Sequence, residues 1–192
     1  SVTDSDYRDL DKAVSLLESL ADANHPQSMV FLGESLMNGT FTEVDMERSL
    51  FLLKSAAEDH KCREAEYWLG EWYSKMSKRC NEPDSCIRLI SSMVDYWQRS
   101  CNRHDIRSAR ALADLYANGF RMVDTDSSYI LHKDWRKAID YYRLVSAWGG
   151  SDGHLNAGRL LYENSMWNDA EKELRMAADR GEGESFFLLA QI

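Results

Sequence analysis

The sequence predicts an all-α protein, a solenoid of stacked antiparallel helix pairs. The first observation is a column of mostly small residues that recurs at steps of 32 to 45 residues. The second is a recurring pair, Leu-Gly or Leu-Ala, that is followed three residues later by a leucine or a tyrosine. The third is the proline content: only two prolines in 192 residues, which permits long helices. One helix pair cannot bury its apolar face alone, so the repeats must stack. The first column consists of Ala13, Ser49, Met93, Ala138 and Ala170, and the second of Leu32-Gly33, Leu69-Gly70, Leu112-Ala113 and a looser copy at Gly158.

The first half of the chain predicts a cap helix and two helix pairs. An acidic stretch, Asp4 to Asp11, leads into a helix whose apolar residues recur at helical spacing from Leu10 to Leu20. We expect further helices at about 27–37, then one capped by Thr42 or Asp45 that ends near residue 58, then 63–76 and 86–101. A loop at about 77–85 joins the last two.

The second half predicts two more pairs and a terminal helix. We expect helices at about 106–118, 134–148, 153–163 and 168–180, with a long insertion at 120–133 before the second of them. The last residues, 185–192, begin another helix that either caps the array or starts a further repeat. Because no linker or low-complexity segment interrupts the chain, residues 1–192 are predicted to form a single domain.

Three segments carry a resemblance to a known family. Residues 65–73, 112–119 and 134–142 are its best local matches. They resemble the Sel1-like repeat family, which is related to the tetratricopeptide repeats, and the resemblance covers nearly the whole chain. It implies a right-handed α-solenoid that binds other proteins, but it does not imply which ones, because fold does not determine function.

Composition limits the classes of partner. The formal net charge of −9 argues against nucleic acid and against anionic membrane surfaces, and it fits a protein with a basic contact surface or simply serves solubility. No apolar run is long enough for a transmembrane helix. The chain starts at Ser1 without methionine, so a removed signal peptide is compatible with the sequence. Localisation in the bacterial periplasm or cytoplasm stays open.

No set of residues predicts catalysis, a metal site or a cofactor. His25, His60 and His104 are expected at the ends of helices, where imidazole interacts with the helix dipole, and stacked repeats would hold them too far apart for one metal ion. The four cysteines match no common zinc pattern. Cys80 and Cys86 flank a turn-rich stretch and could close a small disulfide ring, or remain free thiols.

The resemblance also predicts where a partner binds. In solenoids of helix pairs the first helix of each pair lines the concave surface. By similarity to tetratricopeptide repeats, the residue after the Leu-Gly pair faces that groove, which here gives Glu34, Glu71 and Asp114. The alternative is an acidic face that only contacts solvent. Neighbouring columns and the long insertion add Val30, Tyr67, Arg110, Met37, Asn38, Lys75, Asn118, Tyr129 and Ile130 to the predicted site.

We therefore expect a non-catalytic protein-binding module. The preferred hypothesis is a dedicated inhibitor, such as an immunity protein that neutralises a secreted bacterial toxin. The alternative is an adaptor or scaffold protein in bacterial envelope assembly or signalling. An enzyme is the least favoured class, because the sequence lacks a nucleophile elbow and a phosphate loop.

Overall fold

A computed structural model of the chain describes residues 4–121 and 129–192, and the side chains of residues 11–121 and 130–192. Ten helices and one short hairpin make up this part of the chain. Their bounds are α1 Asp4–Asp22, α2 Pro26–Asn38, α3 Met46–Glu58, α4 Arg63–Ser77, α5 Pro83–Cys101, α6 Ile106–Asn118, β1 Phe120–Arg121, β2 Tyr129–Leu131, α7 Trp135–Ala147, α8 Gly153–Glu163, α9 Trp167–Asp179 and α10 Gly183–Leu189.

The helices form one stack in chain order. Each helix from α1 to α10 packs against the next one, and in addition α2 packs against α4 and α8 against α10. The even-numbered helices are therefore the first helices of successive pairs, and α3, α5, α7 and α9 are the second helices. This arrangement confirms the prediction of an all-α solenoid.

Glycines set the closest approach between the two helices of a pair. A Cβ atom added at Gly70 would lie 2.2 Å from the Trp97 ring, well inside van der Waals contact. Gly70 belongs to the Leu-Gly column, and Trp97 lies four residues after the small-residue column at Met93, so the two columns meet as the repeat register predicts. Two other glycines repeat this relation, Gly33 with Leu53 and Gly158 with Leu174.

Side chains from the preceding turn cap several helices. The Asp45 carboxylate accepts from the Arg48 amide at 2.9 Å, so Asp45 rather than Thr42 caps α3. The Thr42 hydroxyl lies 3.3 Å from that of Ser35. His25 corrects an expectation, because its imidazole caps the beginning of α2, where it accepts from the Ser28 amide, and not the end of α1.

Three boundaries differ from the predicted ones. Helix α1 already begins at Asp4, so the acidic stretch lies inside it. Helix α5 begins at Pro83, because proline suits the first turn of a helix and Asp84 follows it there. The insertion, expected as a loop, forms an antiparallel pair of strands in which Phe120 faces Leu131; residues 122–128 lie outside the described part.

The apolar core runs along the whole stack. One group of buried side chains extends from Ala21 to Leu69 and includes Tyr96, and another extends from Ile90 to Leu188. Tyr73 packs against both groups and makes the core continuous. Among the described residues, no helix combines the length and the hydropathy that a membrane crossing requires.

Candidate protein-binding surface

Helices α2, α4 and α6, the first helices of the first three pairs, bring four side chains together. We call Glu34, Tyr67, Glu71 and Arg107 the Tyr67 cluster. The guanidinium of Arg107 on α6 lies 4.3 Å from the centroid of the Tyr67 ring on α4. Glu34 on α2 and Glu71 on α4 are both half-buried and lie within electrostatic range of the Tyr67 hydroxyl and of Arg107. Three successive repeats thus contribute to one patch.

Burial makes the carboxylates of this cluster costly to ionise. Loss of hydration raises the pKa of Glu71, and Lys78, Lys75 and Arg107 only partly oppose this rise. Burial also raises the pKa of Glu34, again against the effect of Arg107. The pKa of Tyr67 rises to about 12, because its ring is buried and Glu71 lies close. The cluster therefore holds negative charge in a partly dehydrated place.

The arginines near this cluster already have partners. Arg107 donates to the Asp105 carboxylate at 2.7 Å, and Arg110 forms a two-pronged ion pair with Asp152 at 2.6 and 2.9 Å. In the part of the chain that the structure describes, neither Glu34 nor Glu71 has an ion-pair partner within 4.0 Å. An excess of unpaired negative charge therefore remains around Tyr67.

Asp114 and Asn118 belong to the same helix but to a different set of contacts. The Asp114 carboxylate accepts from the Tyr142 hydroxyl, and the amide of Asn118 donates to the Asp114 carbonyl at 2.9 Å. Burial and this hydrogen bond raise the pKa of Tyr142. Arg110 lies within electrostatic range of both Asp114 and Tyr67 and so connects this end of α6 with the Tyr67 cluster.

Lys75 joins the ends of two neighbouring first helices. Its ammonium donates to the Asn38 side chain at 2.6 Å and to the Met37 carbonyl at 3.3 Å, so it occupies the carbonyl end of α2. Val30 and Met37 differ from the expectation of a partner-facing position, because their side chains are only 8% and 3% exposed. They pack within the array and offer little surface to a partner.

The hairpin residues pack partly against the array. Ile130 and Leu131 are half-buried and pack against the core, so they fold back on the array instead of standing in solvent. Together with Ile87 and Val94 they line a shallow groove of 380 Å³. The side chain of Tyr129 lies outside the described part.

Comparison with known proteins agrees with this architecture. A family model described as Sel1 repeat matches residues 6–25 and 26–60. Residues 6–60 therefore match Sel1 repeats. The predicted resemblance to the Sel1-like repeat family is thereby confirmed. No curated protein sequence matches the chain.

Two solved structures are similar to this chain. The Sel1 repeat protein from Oxalobacter formigenes is 19% identical, and the match covers 97% of this chain and 74% of that one with a TM-score of 0.63, which shows a shared fold. The second is c5321, a protective antigen present in uropathogenic Escherichia coli strains that displays an SLR fold; it is 20% identical over 93% of this chain and 43% of that one, with a TM-score of 0.41. Sel1 repeats generally mediate protein–protein interactions, and their solenoids are typically non-catalytic scaffolds.

Several important residues of this surface and of the packing beneath it were not predicted. Arg107 and its partner Asp105 at the start of α6 are among them, as are Asp152 and Tyr142. Another is Glu66, which is 0% exposed and pairs with Arg99 at 3.0 Å and Arg103 at 3.5 Å. The pairing of Glu66 could have been inferred from Arg99 and Arg103, which lie four residues apart near the end of the following helix, α5.

None of the four cysteines forms a disulfide in the structure. The thiol of Cys80 donates to the Glu82 carbonyl at 3.4 Å. Burial, with a further contribution from a hydrogen bond with Cys80, raises the pKa of Cys86 to about 11. A disulfide between the two stays a prediction. Within residues 4–121 and 129–192, no group of three or more His, Cys, Asp or Glu residues is arranged to hold a metal ion.

Proposed function

We propose that this chain is a dedicated, non-catalytic protein inhibitor whose Tyr67 cluster holds a basic segment of its partner. In the most specific form of the proposal it is an immunity protein, and the partner is a secreted bacterial toxin. The partner would present lysine or arginine to the patch formed by α2, α4 and α6.

The proposal rests on Glu34 and Glu71, which form no ion pair with any of the described residues although Arg107, Lys75 and Lys78 lie within electrostatic range. Both carboxylates are half-buried with raised pKa values, whereas Arg107 and Arg110 are already paired with other acids. A cation brought by a partner would gain Coulomb energy in a place where the carboxylates have already lost part of their hydration. The Tyr67 ring adds an apolar surface for the methylene groups of a long basic side chain.

Two features favour an inhibitor over a general scaffold. The repeat length varies between 32 and 45 residues, and a hairpin interrupts the array after α6. Such irregularity suits one shape-specific partner better than a series of equivalent ones. The net charge of −9 also favours fast association with a basic protein.

An affinity capture from the native source at low and high salt tests this function. We expect one stoichiometric basic partner that is lost at high salt. The purified chain should block the partner's activity at a ratio of one to one. Several envelope or signalling proteins at low yield, with no inhibition of any of them, would favour the adaptor instead.

Charge reversal tests the surface. Glu34→Lys combined with Glu71→Lys should weaken binding of the captured partner more than tenfold, or about 1.4 kcal/mol. Glu163→Lys combined with Asp179→Lys, at exposed positions at the ends of α8 and α9, is the control for the same change in net charge and should have little effect. Equal affinities of both variants would exclude the Tyr67 cluster as the contact.

A further inference from the structure

A second surface with different chemistry lies at the N-terminal end of the array. Helices α1 and α2 and the segment after α2 enclose an apolar pocket of 310 Å³. Its walls include Val14 and Leu17 from α1, Phe31 and Leu32 from α2, and Phe41. This volume is at the lower end of the range for ligand pockets, roughly 300–1,000 Å³, and it suits one or two side chains.

The accessible surface of the pocket is formed by apolar atoms. Its polar residues are Ser35 and Thr42. Their hydroxyl oxygens lie 3.3 Å apart, and the Ser35 hydroxyl also accepts from the Phe41 amide at 3.1 Å. A polar ligand would therefore lose its hydration without gaining a partner, so the pocket selects an apolar group.

Two aromatic rings at the pocket remain in contact with water. Phe31 and Phe41 are each 44% exposed, and their rings are stacked with centroids 5.9 Å apart. Exposed aromatic rings that line a concave site offer apolar area for a partner to bury. Covering them would add to the gain from filling the pocket.

The segments that form the pocket and its flanks are rich in acidic residues. Over residues 11–48, six acidic residues outside the Tyr67 cluster stand against two basic ones. One of the basic residues, Arg48, is bound to Glu18 at 2.9 Å. These six acids are Asp11, Glu18, Asp22, Glu43, Asp45 and Glu47. Charge complementarity therefore favours an occupant that carries several positive charges.

We propose that this pocket receives a leucine or aromatic side chain from a cationic amphipathic segment of a partner protein. The apolar walls select the anchoring side chain, and the acidic surroundings select the segment that carries it. This contact is separate from the Tyr67 cluster and does not depend on the inhibitor function.

The test uses a random-peptide display library selected against the full chain. We expect enriched peptides that combine a leucine or aromatic residue with an excess of lysine and arginine. In fluorescence anisotropy with the synthetic peptides, Ala13→Phe, which narrows the pocket from α1, should weaken binding at least tenfold. Leu16→Phe is the matched control, because Leu16 lies on the same helix, is 60% exposed and does not line the pocket; its affinity should equal that of the wild type.

A second variant shows whether weaker binding by Ala13→Phe comes from the pocket or from a folding defect. Phe41→Ser removes one wall of the pocket without altering α1, and it should also weaken binding. The proposal is overturned if no peptide is enriched, if the enriched peptides are neutral or acidic, or if both pocket variants bind like the wild type. Peptides that lose binding only with Glu71→Lys would occupy the Tyr67 cluster, which would refute the pocket but support the proposed function.

Discussion

The indole ring of Trp97 on α5 lies directly over Gly70 on α4. A Cβ atom at Gly70 would be 2.2 Å from Cδ1 and 2.3 Å from Nε1 of that ring. The contact joins the two helices of a repeat at the position where the sequence columns meet. The ring is almost fully buried and fills the space that the missing side chain leaves.

This contact predicts that Gly70 tolerates no side chain. Gly70→Ala should lower the free energy of unfolding by about 1–3 kcal/mol, because the Trp97 ring must move within a packed core. Gly70→Leu should cost at least as much. Urea denaturation measures the effect. Gly183→Ala is the control, since nothing lies within 4 Å of its added Cβ, and wild-type stability for Gly70→Ala would refute the repeat register.

Glu66 should matter for stability more than any surface acid. Glu66→Gln removes the charge that Arg99 and Arg103 share at a fully buried position, and we expect a loss of about 1–3 kcal/mol. This loss of stability is smaller than the loss expected for a wholly buried ion pair, because both arginines are partly exposed to solvent. Thermal denaturation should show almost no change for Glu171→Gln, whose pair with Arg175 is exposed and worth at most about 1 kcal/mol.

The raised pKa of Glu71 predicts the sign of a pH effect. Its carboxyl ionises at a higher pH in the folded chain than in the unfolded chain, so ionisation costs stability as the pH rises from the unfolded value through the folded one. Glu71→Gln removes this cost. The variant should be at least as stable as the wild type at pH 7, and this advantage should shrink below about pH 4, where both states bind the proton. The exposed substitution Glu163→Gln controls for the loss of one charge, and an advantage for Glu71→Gln that grows on acidification would contradict the assignment.

The thiols should differ in reactivity. Cys62, Cys86 and Cys101 are buried with raised pKa values, whereas Cys80 is only partly covered. A disulfide reagent at pH 8 should therefore label one thiol quickly in the folded chain and all four after denaturation. Cys80→Ser should abolish the fast phase. Loss of the fast phase after mild oxidation, with recovery on reduction, would support the predicted Cys80–Cys86 disulfide.

The elements that follow from local patterns were predictable. The helix pairs, the Leu-Gly column and the Asp45 cap rest on residues close together in the chain, where spacing alone is informative. The hairpin after α6 was not predictable, because strands of two and three residues depend on the core that Ile130 and Leu131 join.

The candidate surface was predictable only in part. The column rule placed Glu34 and Glu71 on adjoining first helices, as the structure has them. It could not find the stacking of Arg107 on Tyr67 or the pair of Arg110 with Asp152, since both join residues about 40 positions apart. Such contacts depend on the offset between neighbouring repeats, which no periodicity within one chain specifies.

The glycine contacts have a consequence for how the protein is made. Each joins helices that follow one another along the chain, and Gly70 and Trp97 are only 27 residues apart. A newly synthesised chain can therefore complete each layer soon after its second helix leaves the ribosome, without waiting for the C-terminus. Contacts of such short sequence separation favour rapid folding that spreads from one layer to the next. Nascent helix pairs would then expose their apolar faces only briefly.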